Sequence, residues 1–537
     1  MPLADRIRNH SVFLLIFFYV AVRLVCLAIG MRFDAANLHS WMQIADVELL
    51  QTQLWRTLWY LHSQPPLFNL MIGLALRLGP NGFLWGMGIA YAVVTLGGIL
   101  AFYGLVRDLT GKWRLALALA LWLCVSPAVL LYSQKLYYDG LVPWLLTMAV
   151  WGVHAGAARR SIARMAFGFS MLAAAILLRS MIHPALFVAV LGIYAACCAG
   201  QRARVLAAGA LPGLAIALVL IKNAALFGVA GMSSWLPLNL DNMMVDRLPL
   251  ERRAAMVRSG DLSRYGLVPG LSPPMVYVEL APKTPPTGEP SLDSLRKSSG
   301  EPNWNHRIYL TVGKDRTRDA LAGLRSDPAA FSLLVATGFY FFHLPPSAFT
   351  GLERNRSLIA PWDRVANMLA LQPAAWAGLA DDVRRSRAPL LWLSFGSLLE
   401  SLAFVAFAFT VSAKTLRILW SRRWPDAHQA TLLAIALIGT FVVIVSALFD
   451  VFENNRAHYD IGSILRIGAI VFVLKLTGNL RSRFGLKVGR GRHDNSPSHD
   501  GETTHWVLQR PYDGVVVHEA PVGDQERPRN QEQQQWA

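Results

Sequence analysis

The sequence is organised around residues 31–67, MRFDAANLHSWMQIADVELLQTQLWRTLWYLHSQPPL, which directly follow the first long apolar run. Asp34 stands where that run should leave a bilayer. Pro65 and Pro66 break any helix and direct the chain back toward the membrane. The residues between them are rich in Trp and Leu. A carboxylate held at a membrane interface under an aromatic, amphipathic cover predicts a functional site, because such placement is costly.

The composition indicates a polytopic membrane protein. Of 537 residues, 54% are hydrophobic, 16% are charged and 17 are Trp, and a soluble chain of this length would need more charge. The net charge of +17 falls mainly between apolar runs and in the tail, as membrane topology predicts. We therefore expect no nucleic-acid partner. The first run contains Arg23 and lacks a small-residue cleavage site, so we interpret it as a retained anchor.

Ten apolar runs have about the length of a membrane span, at residues 10–30, 82–106, 114–134, 140–157, 162–181, 183–200, 204–227, 388–412, 428–449 and 461–477. Basic residues collect in alternate connections between these runs, which predicts that both termini are cytoplasmic. The opposite, outer side then receives Asp34, Asp139, Arg179, Glu453 and residues 228–387. The sequence thus predicts an all-α polytopic membrane protein of about ten transmembrane helices. The boundary at His183 is the weakest, because two runs nearly join there.

The same pattern divides the chain into four parts. We predict an N-terminal transmembrane module at 1–227 with a first outer loop at 31–81, a helical and loop-rich outer segment at 228–387, a second transmembrane module at 388–480, and a disordered cytoplasmic tail at 481–537. Two apolar pieces are too short to span, and we interpret both as interfacial helices, at 66–79 and 331–347.

Two acids are the candidate catalytic residues. Asp34 by itself would only mark the end of a helix, but Asp139 lies at the outer mouth of the fourth span in Lys135-Leu136-Tyr137-Tyr138-Asp139-Gly140. A short connection there places Asp139 at the depth of Asp34. The pair could share a divalent cation or divide base and orienting roles. The alternative is that Asp139 only pairs with Lys135.

Cations gather on the same predicted side as the two acids. Arg179 ends the fifth span and Arg456 precedes the last one, and a guanidinium suits phosphate oxygens. Glu453 and Arg456, at i and i+3, could equally form a local pair. Lys135 is a further candidate for binding a phosphate. His62 is more often structural in such a position, but it is a candidate for contact with substrate or metal.

These motifs resemble the GT-C membrane glycosyltransferases, nearest to the protein mannosyltransferase and aminoarabinose transferase type of glycosyltransferase family 39. The resemblance is carried by Asp34 after the first span, His62 before Pro65-Pro66-Leu67, Asp139 at a later span and the closing Glu453-Asn454-Asn455-Arg456. It covers roughly residues 10–200 and 450–477. It implies a GT-C-like bundle in the bacterial cytoplasmic membrane, with an active site on the extracytoplasmic face and a polyprenyl-phosphate sugar as donor.

Carried over from the family, Asp34 would be the general base or acceptor-orienting residue and Asp139 the second acid. Arg456 would lie near the lipid phosphate. The mannosyltransferases have a second acid directly after the first, whereas Ala35 follows Asp34 here. The sequence therefore leaves a divalent cation open.

Two other classes would share some of these features. A transporter or flippase of a lipid-linked sugar would also need interfacial arginines and a lipid groove, but it predicts internal half-repeats that this sequence does not show. An O-antigen ligase or polymerase-type protein would share the chemistry and the large outer loop. Such a protein would keep its essential Arg and His residues in a late loop, whereas the candidate acid here is early.

Overall fold

The computed structural model describes residues 3–283, 285–378, 389–422, 424–449 and 453–483. In the first part of the chain these residues form the helices α1 Leu3–Ala28, α2 Val47–Thr52, α3 Leu54–Trp59, α4 Pro66–Leu76, α5 Gly79–Thr110, α6 Trp113–Val125, α7 Pro127–Tyr132, α8 Val142–Ala158, α9 Ile162–Leu178, α10 Pro184–Cys197 and α11 Arg202–Phe227.

The remaining helices are mostly short until the chain returns to long apolar segments. They are α12 Leu236–Met244, α13 Leu250–Ser259, α14 Pro274–Leu280, α15 Pro290–Asp293, α16 Ile308–Ser326, α17 Pro328–Phe342, α18 Glu353–Arg356, α19 Ala360–Leu369, α20 Pro373–Trp376, α21 Phe395–Trp420, α22 Ala427–Phe449 and α23 Asn454–Arg483. Within the described ranges, β-structure is limited to isolated bridges.

Seven helices in the described part of the chain are long and apolar enough to cross a membrane. They lie at His10–Ala28, Gly79–Thr110, Tyr138–Ala158, Ala199–Phe227, Phe395–Trp420, Ala427–Phe449 and Asn454–Gly478. The other three predicted spans correspond to shorter apolar helices, which are α6, α9 and α10. This architecture confirms the predicted all-α polytopic membrane class. The predicted tail lies, from residue 484 onward, outside the described residues.

The structure departs from the predicted spans at two places and confirms the uncertain boundary at a third, each for a local reason. The predicted span 114–134 is divided into α6 and α7 at Ser126, because Pro127 lacks an N–H and begins a new helix. The uncertain boundary at His183 is a true break, where the imidazole Nδ1 caps α10 by accepting from the Ala185 N–H at 3.1 Å. The last span begins at Asn454 and not at 461, since its first two turns are polar and escape a hydropathy scan.

Helix α8 lies at the centre of the bundle, and nearly all of its residues are buried. It packs most extensively against α9 and α5. Glycines permit the close approach, because a Cβ on Gly98 of α5 would lie 2.5 Å from the Trp144 Cβ. On the other side, a Cβ on Gly168 of α9 would lie 2.5 Å from the Val153 backbone nitrogen. Small residues at helix contacts are the usual way to pack membrane helices.

The 228–387 segment has a core of its own, built from aromatic residues and one buried ion pair. Trp304 stacks on Tyr309 with ring centroids 5.9 Å apart. Arg316 on α16 lies 2.6 Å from Asp241 on α12, and both side chains are fully buried. Burial raises the pKa of Asp241 to about 8, against the lowering effect of Arg316. This core holds together the helices that the structure describes between residues 228 and 378.

Candidate active site

Asp34 is positioned by a short parallel β-bridge between the loop that follows α1 and the loop that follows α7. The Asp34 N–H donates to the Gln134 carbonyl at 2.7 Å, and the Leu136 N–H donates to the Asp34 carbonyl at 2.9 Å. Asn37 adds a third tie, because its side-chain amide donates to the Leu136 carbonyl at 2.8 Å. These backbone contacts fix the register, so Asp34 lies opposite Lys135.

The carboxylate of Asp34 is nearly buried and faces three donors. Lys135 Nζ donates to Oδ2 at 2.8 Å, and the Ala36 N–H donates to Oδ1 at 3.0 Å. Arg354, with 71% of its side chain exposed, places Nη1 3.7 Å from Oδ1. The alternative that Asp139 only pairs with Lys135 is therefore wrong, because Lys135 pairs with Asp34.

Asp139 lies in a separate, fully buried network. It occupies the 3-10 turn Tyr138–Gly140, and its carboxylate accepts from the Arg179 guanidinium, which also contacts Asp460 on α23. Arg456 Nε lies 3.4 Å from Asp139 Oδ1. All four of these residues are buried. Buried charges are tolerated only in such paired arrangements.

The two acids share one edge of the bundle. Asp34 pairs with Lys135, and Asp139 follows four residues later in the same loop. Four residues of fully extended chain span at most about 14 Å. The bridge and this loop therefore place Asp34 and Asp139 at the same end of the bundle, although each has different partners.

Arg456 forms the local pair with Glu453 that the sequence offered as one of its two roles, while its role near a phosphate stays a prediction. It lies 2.8 Å from Glu453 at i and i+3, and it also contacts Asp139. Its guanidinium lies 5.2 Å from the centroid of the Phe349 ring. Glu453 keeps 45% of its side chain exposed, whereas Arg456 keeps 6%. Glu453 is thus the accessible member of the pair.

Aromatic rings wall the space between the loops. Trp41 packs against Tyr137 and Tyr138 with ring centroids 4.6 and 5.2 Å apart, and Phe68 of α4 lies 5.8 Å from the Trp41 ring. Trp41, from the 31–67 stretch, thus packs on the loop that carries Lys135 and Asp139. Such a wall excludes water and strengthens charge interactions within the site.

His62 lies in a structural joint and has no contact with either acid. It is fully buried, with Nδ1 2.7 Å from the Ser234 hydroxyl and Nε2 2.9 Å from the Asn305 carbonyl. The Asn305 side chain accepts from the backbone N–H groups of His62 and Ser63. Burial lowers the pKa of His62 to about 3, so the ring is neutral. This residue ties the first loop to the 228–387 segment.

The donor set around the acids does not fit a divalent cation. Asp34 is occupied by an ammonium and a guanidinium, and Asp139 by two guanidiniums. Among the described residues, no group of three or more His, Cys, Asp and Glu side chains could hold a metal ion. Mg²⁺ and Ca²⁺ take six or more oxygen ligands, which the paired carboxylates of this site do not offer.

Two residues of this arrangement were not singled out from the sequence. Asp460 lies one turn after Arg456, and the i, i+4 spacing of an acid and a base on one helix was the available signal. Arg354 reaches Asp34 from α18, far along the chain. Asn355, beside it, holds the loop in place by donating to the Arg32 carbonyl at 2.9 Å. No local pattern marks Arg354.

An apolar groove of about 650 Å³ lies between α17, α21 and α22. Its lining includes Phe339, Leu398, Leu402, Phe404, Val443 and Ile444. Phe342 and His343 at the end of α17 border it. A few residues later the chain reaches Phe349, whose ring contacts Tyr137 and Arg456. The groove is thus joined to the acidic edge by one short stretch of chain.

Comparison with known proteins gives only distant matches. No protein-family model matches, and neither does any curated protein. Solved structures of the Archaeoglobus fulgidus oligosaccharyltransferase AglB match at 12–13% identity. The complex with an inhibitory peptide and a dolichol-phosphate aligns over 88% of this chain with a TM-score of 0.34, and the apo form over 87% with 0.33. The chain spans about half the length of those proteins, 51% in each case. At this distance the likeness assigns no family.

Proposed function

We propose that this protein is a GT-C-type integral membrane glycosyltransferase. It would move a sugar from a polyprenyl-phosphate donor to an acceptor hydroxyl on the outer face of the cytoplasmic membrane of a bacterium. The acceptor class, whether glycan, lipid or protein, is left open by this proposal. The observation that carries it is the arrangement at Asp34, where a nearly buried carboxylate faces an exposed arginine at the edge of a membrane bundle.

The proposed donor has an apolar isoprenoid chain and a charged phosphate, and each fits a different surface of the protein. Its isoprenoid chain is apolar and fits the 650 Å³ groove between α17, α21 and α22. Its phosphate needs cations within reach of solvent, and Arg354 supplies one beside Asp34. Arg456 is less available, because both Glu453 and Asp139 engage its nearly buried guanidinium. Lys135 is equally buried, but its ammonium has three N–H donors and gives one to Asp34, so it can contact a phosphate without leaving that carboxylate. We therefore place the phosphate at Arg354 and Lys135, with Arg456 behind them.

The reaction is a displacement at the anomeric carbon. The acceptor oxygen forms the new bond to that carbon while the bond from the carbon to the phosphate oxygen breaks. Asp34 takes or aligns the acceptor proton, and the phosphate leaves with the bonding electrons toward Arg354 and Lys135. The transition state carries positive charge on the sugar ring, as in glycoside hydrolysis. Positioning and charge stabilisation then supply most of the acceleration.

Asp139 has a different assignment in this mechanism. Its carboxylate is fully buried and shared among Arg179 and Arg456, so we assign it to holding the loop that carries Lys135. Trp41, Tyr137 and Tyr138 would exclude water from the sugar. His62 would hold the 228–387 segment over the first loop.

The test is a transfer assay with the full chain in lipid nanodiscs. Purified protein is mixed with a panel of polyprenyl-phosphate sugars and with a glycan, a lipid and a peptide acceptor, and product is followed by mass spectrometry. We expect transfer from at least one lipid-phosphate donor and none from nucleotide sugars. Transport of a donor across vesicles without any transfer would instead support the flippase class.

A further inference from the structure

We propose that the acidic site works without a divalent cation, because Lys135 and Arg354 supply the positive charge that a metal would bring. This inference rests on the proposed function for its kinetic part, whereas its binding part can be measured independently. Under this proposal Lys135 and Arg354 contact the phosphate, and removal of metal ions leaves the transfer activity unchanged.

Both oxygens of Asp34 already accept hydrogen bonds from the chain itself. Oδ2 accepts from the Lys135 ammonium at 2.8 Å, and Oδ1 accepts from the Ala36 N–H at 3.0 Å. A divalent cation would need these oxygens at about 2.0–2.6 Å and would have to displace the ammonium. Displacement is difficult because the Lys135 side chain is only 7% exposed, so leaving Asp34 would strand a buried charge.

A cation shared by the two acids would also need Asp139. Oδ1 of Asp139 is engaged by Arg179 and Arg456. A cation at its other oxygen, which has no hydrogen-bond partner among the described residues, would lie beside the same two guanidiniums. Asp460 is engaged by the same Arg179. Two guanidiniums already balance the two fully buried carboxylates. A cation added to this cluster would face those guanidiniums at short range, where like charges repel strongly.

Lys135 and Arg354 can neutralise the leaving phosphate in place of a metal. A metal in phosphoryl or glycosyl transfer neutralises the leaving phosphate. Lys135 and Arg354 lie on two sides of Asp34, and Arg354 is exposed enough to meet a ligand. Asn355 fixes the position of this stretch by its contact with Arg32. The charge that stabilises the leaving group is therefore built into the chain.

The binding test uses the full chain after dialysis against EDTA. Metal content is measured by mass spectrometry, and thermal unfolding is followed with and without Mn²⁺ or Mg²⁺. We expect no retained metal and no shift of the unfolding midpoint. Stoichiometric Mn²⁺ that is lost in the Asp34→Asn variant would overturn the proposal. This measurement needs no substrate, so it shows whether the site binds a metal even if no sugar transfer is ever detected.

The kinetic test compares transfer rates with EDTA and with Mn²⁺. We expect equal rates for the wild type, a loss of about 10²–10³-fold in Lys135→Ala, and recovery of most of that loss in Lys135→Arg. Lys297→Ala is the matched control, because Lys297 is also buried but donates to the Trp41 carbonyl, at 2.9 Å. A wild-type rate that falls in EDTA and returns with Mn²⁺, or an unimpaired Lys135→Ala, contradicts the proposal.

Discussion

Asp34 and Asp139 lie on the same edge of the bundle, yet their surroundings differ in kind. Asp34 is paired with one buried lysine and one exposed arginine. The exposed arginine, Arg354, can turn from Asp34 to a bound ligand. Asp139 is enclosed with Arg179, Arg456 and Asp460, and none of these can leave without stranding a charge. The difference separates a carboxylate suited to chemistry from one suited to holding the frame.

The largest expected effect comes from removing the cation that Asp139 and Asp460 share. Arg179→Ala should lower the free energy of unfolding by about 3–5 kcal/mol, because two buried carboxylates lose their partner. Thermal or denaturant unfolding in detergent measures it. Arg164→Ala is the control, since Arg164 is exposed at the start of the same helix. Equal stability of the two variants would mean that the network is not part of the frame.

The next largest effect should fall mainly on rate. Asp34→Asn keeps one oxygen, which can accept from either Ala36 or Lys135, and it removes the base. We expect a loss of about 10²–10⁴-fold in transfer, with a smaller fall of the unfolding midpoint than in Asp139→Asn, because one buried lysine loses its carboxylate and not two buried arginines. Asp139→Asn should behave in the opposite way and lower the midpoint first. If the two variants show the same pattern, the distinction between the acids is lost.

The His62 joint should make the frame sensitive to acid. Its pKa is about 3 in the folded protein and near 6.5 when exposed, so below pH 6.5 the unfolded chain binds the extra proton. Stability contributed by the neutral ring is present above pH 6.5 and falls as the pH drops toward 3, by about 2 kcal/mol between pH 7 and pH 5. The free energy of unfolding, measured against pH in the wild type and in His62→Asn, isolates the contribution of His62. Parallel curves for the two proteins would disprove it.

The smallest expected effect tests Arg354, the exposed cation beside Asp34. Arg354→Ala should reduce kcat/KM for the donor roughly tenfold through the loss of one charge-assisted hydrogen bond to phosphate. Stability should change by less than about 0.5 kcal/mol, because the side chain is largely exposed. Arg318→Ala, at an exposed position on α16, is the control. An unchanged kcat/KM would remove Arg354 from the site.

Much of the fold could be predicted from hydropathy, because membrane spans are encoded in local composition. The helical bundle and the short helices α4 and α17 follow from such local patterns. The start of α23 was missed because Asn454–Asp460 is polar. Its polar groups meet buried partners on other helices, which a local scan does not register.

The pairing of the site charges was less predictable. Lys135 and Asp139 are close in sequence, but the β-bridge turns Lys135 toward Asp34 while the 3-10 turn directs Asp139 inward. The Glu453–Arg456 pair was predictable from i, i+3 spacing. The Arg354 contact was not, because it depends on how α18 returns to the first loop. Long-range contacts of this kind leave no trace in spacing.

A density map of the protein in a nanodisc with a stable polyprenyl-phosphate sugar analogue tests the central claim most directly. We expect the isoprenoid chain between α17, α21 and α22, the phosphate in contact with Arg354 and Lys135, and the anomeric carbon facing the carboxylate of Asp34. A phosphate bound elsewhere in the bundle, with Asp34 and Lys135 still closed on each other and out of reach of the sugar, would contradict it.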